Sequence, residues 1–92
     1  MAKFTVRIEL HNAETNDYLK LWEAMKKEDF TDIISSNTKK YKMPNGEYDI
    51  QGDYTTKDIL SKSKKAIATT TVKGSVLVTK VDERSWANLE EI

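Results

Sequence analysis

Phe4-Thr5-Val6-Arg7-Ile8-Glu9-Leu10-His11 alternates apolar and polar side chains without a break, the period of two that marks a half-buried strand. Phe4, Val6, Ile8 and Leu10 are expected to face a core, and Thr5, Arg7, Glu9 and His11 the opposite side. The period then changes. Tyr18, Leu21, Trp22 and Met25 recur at helical spacing, one stripe of a helix running to about Glu28, with Lys20, Glu23, Lys26 and Lys27 opposite. Asn12 is the expected N-cap, and Glu14 and Asp17 suit the positive end of the helix dipole.

Phe30 to Ser36 reads as a strand centred on Ile33-Ile34, and Asn37-Thr38 as a turn. Lys39 to Met43 returns with Tyr41 and Met43 on one face, and Pro44-Asn45-Gly46 is a strong turn signal. This stretch is either one long bent strand or a small hairpin. Glu47 to Gln51 alternates again, with Tyr48 and Ile50 inward. Thr55 or Thr56 caps a second helix whose inner face is Ile59, Leu60, Ser63, Ala66 and Ile67, and the β-branched run Thr69-Thr70-Thr71 ends it. Ser75 to Val81 is an apolar strand, and the tail around Trp86 adds a short edge strand with Trp86 covering core.

The order of elements is β-α-β-β-α-β. Right-handed crossovers put both helices on one side of a sheet, so the expected architecture is α+β: a two-layer ferredoxin-like βαββαβ sandwich with an antiparallel four-stranded sheet and two helices on one face. The other face is then bare or meets a partner. Tyr41, Tyr48 and Trp22 are assigned to the core.

Length and composition narrow the chemistry. The 92 residues have room for one domain, residues 1–92. Cysteine is absent, which removes disulfides, thiolate metal sites and cysteine nucleophiles. His11 is the single histidine, so no metal site and no cofactor is expected. Three scattered glycines make no phosphate-cradling loop. No run approaches the length of a membrane span, and nothing at the N-terminus resembles a signal peptide. A cytoplasmic protein without membrane contact is expected.

The net charge is zero but unevenly distributed: −2 over residues 1–56, +5 over residues 57–81 and −3 from Asp82 onward. The basic segment is either a solvated helix face or a surface for phosphates. In the second case Lys57, Lys62, Lys64 and Lys65 are the expected RNA contacts, with Lys39, Lys40 and Lys42 beside them. On the first strand, Arg7, Glu9 and His11 share one face. An arginine can hold a phosphodiester while an imidazole or carboxylate moves a proton, which is how RNA is cut without metal. These three are the candidate catalytic residues, and Asp49 joins them if the first and third strands are neighbours. The plainer reading of an Arg–Glu pair on such a face is a cross-strand ion pair.

Val6-Arg7-Ile8-Glu9-Leu10-His11-Asn12-Ala13, with Asp17-Tyr18 and Glu23-Ala24-Met25, resembles a family of short bacterial proteins. Tyr41-Lys42-Met43-Pro44, Glu47-Tyr48 and Ser75-Val76-Leu77-Val78-Thr79 continue the likeness, and Trp86 ends it. That family is distantly similar to GhoS, the antitoxin of a type V toxin–antitoxin pair. GhoS-like proteins are ferredoxin-like endoribonucleases that cut the toxin's messenger RNA, and they are similar to small CRISPR-associated nucleases. The resemblance therefore implies RNA as partner, with no DNA expected. The CRISPR-associated nucleases place an Asp at the end of the first strand, where this chain has Leu10-His11-Asn12. That departure argues against metal-dependent cleavage, and no catalytic residue is carried across from the family. The competing expectation is a non-catalytic protein-interaction module that uses the open sheet face or an edge strand, a homodimer included.

Overall fold

The computed structural model describes residues 1–36 and 38–92; the turn expected at Asn37 lies outside the described residues. The elements in chain order are β1 (Ala2–Leu10), α1 (Thr15–Lys27), β2 (Ile33–Ser36), β3 (Lys39–Lys42), β4 (Glu47–Gly52), α2 (Thr56–Ile67) and β5 (Gly74–Val81). The fold is mixed α+β. β1 lies between β4 and β5 and is antiparallel to both.

The period of two in β1 is realised as read: Phe4, Val6, Ile8 and Leu10 are buried, and Arg7 and Glu9 are exposed. The apolar row meets Leu21, Ala24 and Met25 of α1, Ile59, Ala66 and Ile67 of α2, and Tyr48 and Ile50 of β4 in one cluster. Each of these side chains, fully buried, contributes about 1.5–3 kcal/mol when aliphatic or aromatic. Ser63 is buried in the same layer, and its hydroxyl donates to the Ile59 carbonyl at 2.8 Å, so no polar atom is stranded there.

Local signals set the helix ends. Thr55 caps α2 in a reciprocal box: its hydroxyl accepts from the Asp58 N–H at 3.2 Å, and the Asp58 carboxylate accepts from the Thr55 N–H at 2.8 Å. Thr69 and Thr70 close the helix by donating to the carbonyls of Ala66 and Ile67. The N-cap expected at Asn12 is corrected. Asn12 has a positive φ of 53°, a conformation Asn tolerates, and the chain enters the helix two residues later at Glu14. There the Asp17 carboxylate accepts from the Glu14 N–H at 2.9 Å.

The four-stranded sheet is corrected as well. Three strands, β4-β1-β5, form one sheet, and β2 pairs with β3 in a separate two-stranded hairpin. Just ahead of β2, Thr31 and Asp49 exchange backbone bonds of 2.9 and 2.7 Å, a single bridge to the edge of β4. Beyond that bridge the chain leaves the edge of β4, and Ile33 to Ser36 pair with Lys39 to Lys42. Of the two alternatives for Phe30 to Met43, the hairpin is the one formed.

Nor is the second sheet face bare. The tail after Val81 crosses it and runs to the hairpin. Arg84 donates to Asp49 Oδ1 at 2.8 Å, to Asp49 Oδ2 at 3.2 Å and to the Thr5 hydroxyl at 3.1 Å. Farther on, Lys42 N–H donates to the Glu90 carbonyl and Ile92 N–H to the Lys40 carbonyl, both at 2.9 Å. The short edge strand expected around Trp86 is corrected: Ser85 to Leu89 form no strand, and the tail makes a single bridge further on, between Glu91 and Tyr41 of β3. Trp86 packs edge-on against Tyr41, ring centroids 5.9 Å apart. Beneath them Ile34 and Met43 are buried although they lie outside the main cluster. Tyr41 and Trp86 therefore belong to this contact between tail and hairpin, a correction to their expected place in the core.

Candidate functional site

Between α1 and the β3–β4 connection lies a groove of about 660 Å³. Ile8 and Tyr48, both buried, form its bottom, and Tyr18, Leu19 and Trp22 line it from α1. Lys42 to Gly46 line the opposite side, while Arg7, Glu9 and Glu47 close it at the sheet. The groove exists because β4 stops short of β1. The last strand partner is Glu47 opposite Arg7, and the next amide, Ile8 N–H, bonds the Gly46 carbonyl at 2.8 Å. At the following free position, Leu10 N–H donates to the Tyr18 hydroxyl at 3.0 Å, so α1 takes over where the sheet ends.

Gly46 makes that ending possible. Its φ is +82°, and a Cβ at this position would lie 2.6 Å from the Ile8 carbonyl oxygen. The Glu47 N–H bonds the Pro44 carbonyl at 3.1 Å, and positive φ at the third position of such a turn favours glycine. The Pro-Asn-Gly signal thus does two jobs: it turns the chain, and it brings backbone against β1.

Trp22 was expected in the core, and it stands 36% exposed on the groove instead. The helical stripe is centred on Leu21, Ala24 and Met25, which rotates Trp22 to the margin. Its indole N–H donates to Asp32 Oδ2 at 3.0 Å, and the Lys26 ammonium lies 4.2 Å from its ring centroid. Leu19, 55% exposed, adds an apolar lip. Sequence spacing alone placed Trp22 within the stripe, and no local signal moved it outward.

The residues along the groove include Arg7 and Lys42 with Glu9, Asp32 and Glu47, and Arg7 and Glu47 also line a second cavity on the tail side of the sheet with Thr5 and Leu77. Arg7 and Glu9 make no ion pair among the described residues, so the plain cross-strand pair is not formed. His11 lies just beyond β1, where its N–H bonds the Lys73 carbonyl at 2.7 Å. Its ring Nε2 is 2.8 Å from the Ser75 hydroxyl, and Ser75 stands opposite Glu9 in the register. Arg7, Glu9 and His11 are therefore exposed neighbours on one side of β1, while the groove itself takes Arg7 and Glu9. β1 and β4 are adjacent, as the inclusion of Asp49 required, but the Asp49 carboxylate is engaged by Arg84 and Thr5.

At the bottom of the groove burial pushes the Tyr48 hydroxyl up to about 12, with the Asp32 carboxylate and Tyr18 adding to the effect. Tyr48 therefore stays protonated at any physiological pH.

The lysines of α2 are on a different surface. Lys62 and Lys65 converge on the Glu28 carboxylate at 3.7 and 3.4 Å, and Lys62 also lies 5.5 Å from the Tyr54 ring centroid. Lys57 and Lys64 are exposed, with no ion pair among the described residues. The basic run is thus partly neutralised by α1. Among the described residues no group of three metal-binding side chains occurs, and no helix is long and apolar enough to cross a membrane.

These features define a small α+β domain with helices on one sheet face, a strapping tail on the other and an open groove at the end of the sheet. No protein-family model matches the chain, and a search of curated proteins finds no match to it.

Proposed function

We propose that the protein binds single-stranded RNA along this groove. The observation that carries the reading is the half-exposed Trp22 ring in a groove shared with Arg7 and Lys42. Single strands are held by aromatic faces that stack on bases and by cations that track phosphates. The carboxylates suit RNA in particular, since Glu9 and Asp32 can accept from ribose 2′-hydroxyls and exocyclic amines. The lysine-rich α2 would then add sequence-independent phosphate contact through Lys57 and Lys64, whose charges are not spent on Glu28.

The direct test is fluorescence anisotropy of a labelled 12-nucleotide RNA titrated with protein across a salt series. Arg7→Ala and Lys42→Ala should each weaken binding, and each should reduce the salt slope by about 1. Protein that shows no salt-sensitive RNA binding sinks the proposal.

Metal-independent cleavage is the reaction Arg7, Glu9 and His11 are suited to perform, and their common exposure on one side of β1 supports it. Glu9 or His11 would take the proton of a 2′-hydroxyl, whose oxygen attacks the adjacent phosphorus. The P–O5′ bond breaks, the leaving oxygen takes a proton, and the products are a 2′,3′-cyclic phosphate and a 5′-hydroxyl. Arg7 would neutralise the non-bridging oxygens. This is the antitoxin-type activity that the family resemblance implies.

The ferredoxin-like fold belongs to the same proposal. The order β4-β1-β5, with Thr31 bridging to Asp49, matches such a sheet whose outermost strand departs after a single bridge. The alternative of a protein-interaction module is favoured by β5, an eight-residue edge strand carrying Leu77, 64% exposed. Sedimentation of the purified protein decides it: a homodimer supports pairing through β5, and a strict monomer with no co-purifying partner rejects it.

A further inference from the structure

The outer edge of β3 is covered by the chain's own tail, and the match is electrostatic as well as geometric. From Asp82 to Ile92 the tail carries Asp82, Glu83, Glu90 and Glu91 against Arg84 alone, whereas Ile33 to Lys42 carries Lys39, Lys40 and Lys42 and no acid. Glu90 and Ile92 supply the two backbone bonds to β3, and Glu91 pairs with Lys39 at 3.4 Å. The side chains of that ion pair are 59% and 54% exposed, so water and salt screen it. Trp86 meets Tyr41 edge-on. A negatively charged segment thus pairs with Lys39, bonds the backbone of Lys40 and Lys42, and presents an aromatic ring to a tyrosine.

A single RNA strand offers the same features, phosphates for the lysines and a base for Tyr41. We propose that residues 86–92, beyond the Arg84 anchor, are a displaceable strap that occupies an RNA surface on β3, so that RNA entering the groove extends its binding by displacing the tail from Lys39 and Tyr41. This rests on the groove reading above. Lys42 joins the two surfaces: it lines the groove, and its backbone N–H donates to the Glu90 carbonyl. Tyr41 and Lys39 alternate with Lys40 and Lys42 along β3, so the strand presents a cation on each side. The strap keeps one of those sides closed until a stronger polyanion arrives.

The test compares the full chain with a Glu90→Gln/Glu91→Gln double variant, using the same labelled 12-nucleotide RNA and amide hydrogen exchange. The variant should bind about three- to tenfold more tightly at low salt, with the difference shrinking as salt rises. In the unmodified chain, saturating RNA should speed exchange at the Lys42 and Ile92 amides, which the strap protects. Tyr41→Ala should abolish the gain made by the double variant. Equal RNA affinity in both chains overturns the strap while leaving the groove reading intact. A tighter variant whose Lys42 and Ile92 amides stay protected with RNA bound also overturns it, since charge would then act without displacement. Absence of RNA binding in every chain overturns the groove reading and the strap together.

Discussion

Arg84 and Asp49 meet as a two-pronged ion pair, with both guanidinium nitrogens on the two carboxylate oxygens, 35 positions apart in sequence. Thr5 completes the arrangement by donating to Asp49 Oδ1 at 3.2 Å while accepting from Arg84. The carboxylate is largely shielded, its side chain 13% exposed. Removing the arginine therefore leaves a mostly buried charge with one neutral donor. Arg84→Ala should cost about 1–3 kcal/mol in urea denaturation. Arg84→Lys should recover only part of this, because an ammonium cannot make both prongs.

Gly46→Ala should be destabilising although the site is a surface turn. The left-handed backbone costs alanine roughly 1 kcal/mol, and its Cβ would press on the Ile8 carbonyl. The expected loss is about 1–3 kcal/mol in the denaturation midpoint. Loss of the Ile8 N–H protection in hydrogen exchange would locate the damage at the junction of β1 and the turn.

Tyr48 gives stability a dependence on alkaline pH. Its ordinary value of 10.0 holds in the unfolded chain and rises to about 12 in the folded one. Below pH 10 both states are protonated and the folded state carries no penalty. Between pH 10 and 12 the unfolded chain ionises first, so folding stability falls as pH rises, by about 2–3 kcal/mol in all. Tyr48→Phe should remove that slope and change little at neutral pH. Tyrosinate absorbance should show one of the four tyrosines ionising last.

Trp22→Ala should separate binding from folding. The ring is half exposed and lies at the margin of the core, so the thermal midpoint should fall modestly. RNA affinity should drop about tenfold, the lower part of what one stacked base contributes. Unchanged affinity in this variant removes the aromatic from the RNA site.

Cleavage is read on a denaturing gel in the presence of a chelator. His11→Ala and Arg7→Ala should each lower product formation by about two orders of magnitude, the usual contribution of a positioned acid, base or charge clamp. The product ends should be a 2′,3′-cyclic phosphate and a 5′-hydroxyl. Ends bearing a 5′-phosphate would exclude the 2′-hydroxyl route.

What the sequence revealed about this fold was local. The alternation of Phe4 to Leu10, the helix cap expected at Thr55 or Thr56 and found at Thr55, and the Pro44-Asn45-Gly46 turn each depend on residues within a few positions. Asn12 was misread because its polar side chain suits a cap and a left-handed bend equally well. The separate hairpin, the strapped sheet face and the exposed Trp22 depend on non-local geometry. No period in the sequence reports that Arg84 reaches Thr5 across 79 positions, or that β2 chooses β3 over β4. For the site, Arg7 and Glu9 were legible as side chains projecting from one strand face. Lys42 was legible only as a phosphate contact, and its place along one groove with Arg7, Glu9 and Trp22 became visible once α1 and the turn were set beside β1.

The tail has a consequence for timing. Synthesis runs from the N-terminus, and domains fold as their residues become available. β3 is complete before Glu90 and Ile92 are made, so a nascent chain presents Tyr41 and Lys39 uncovered. Contacts between distant positions also form late and open early. On the strap proposal, a chain would pass through an interval of open access to polyanions before the tail reaches β3.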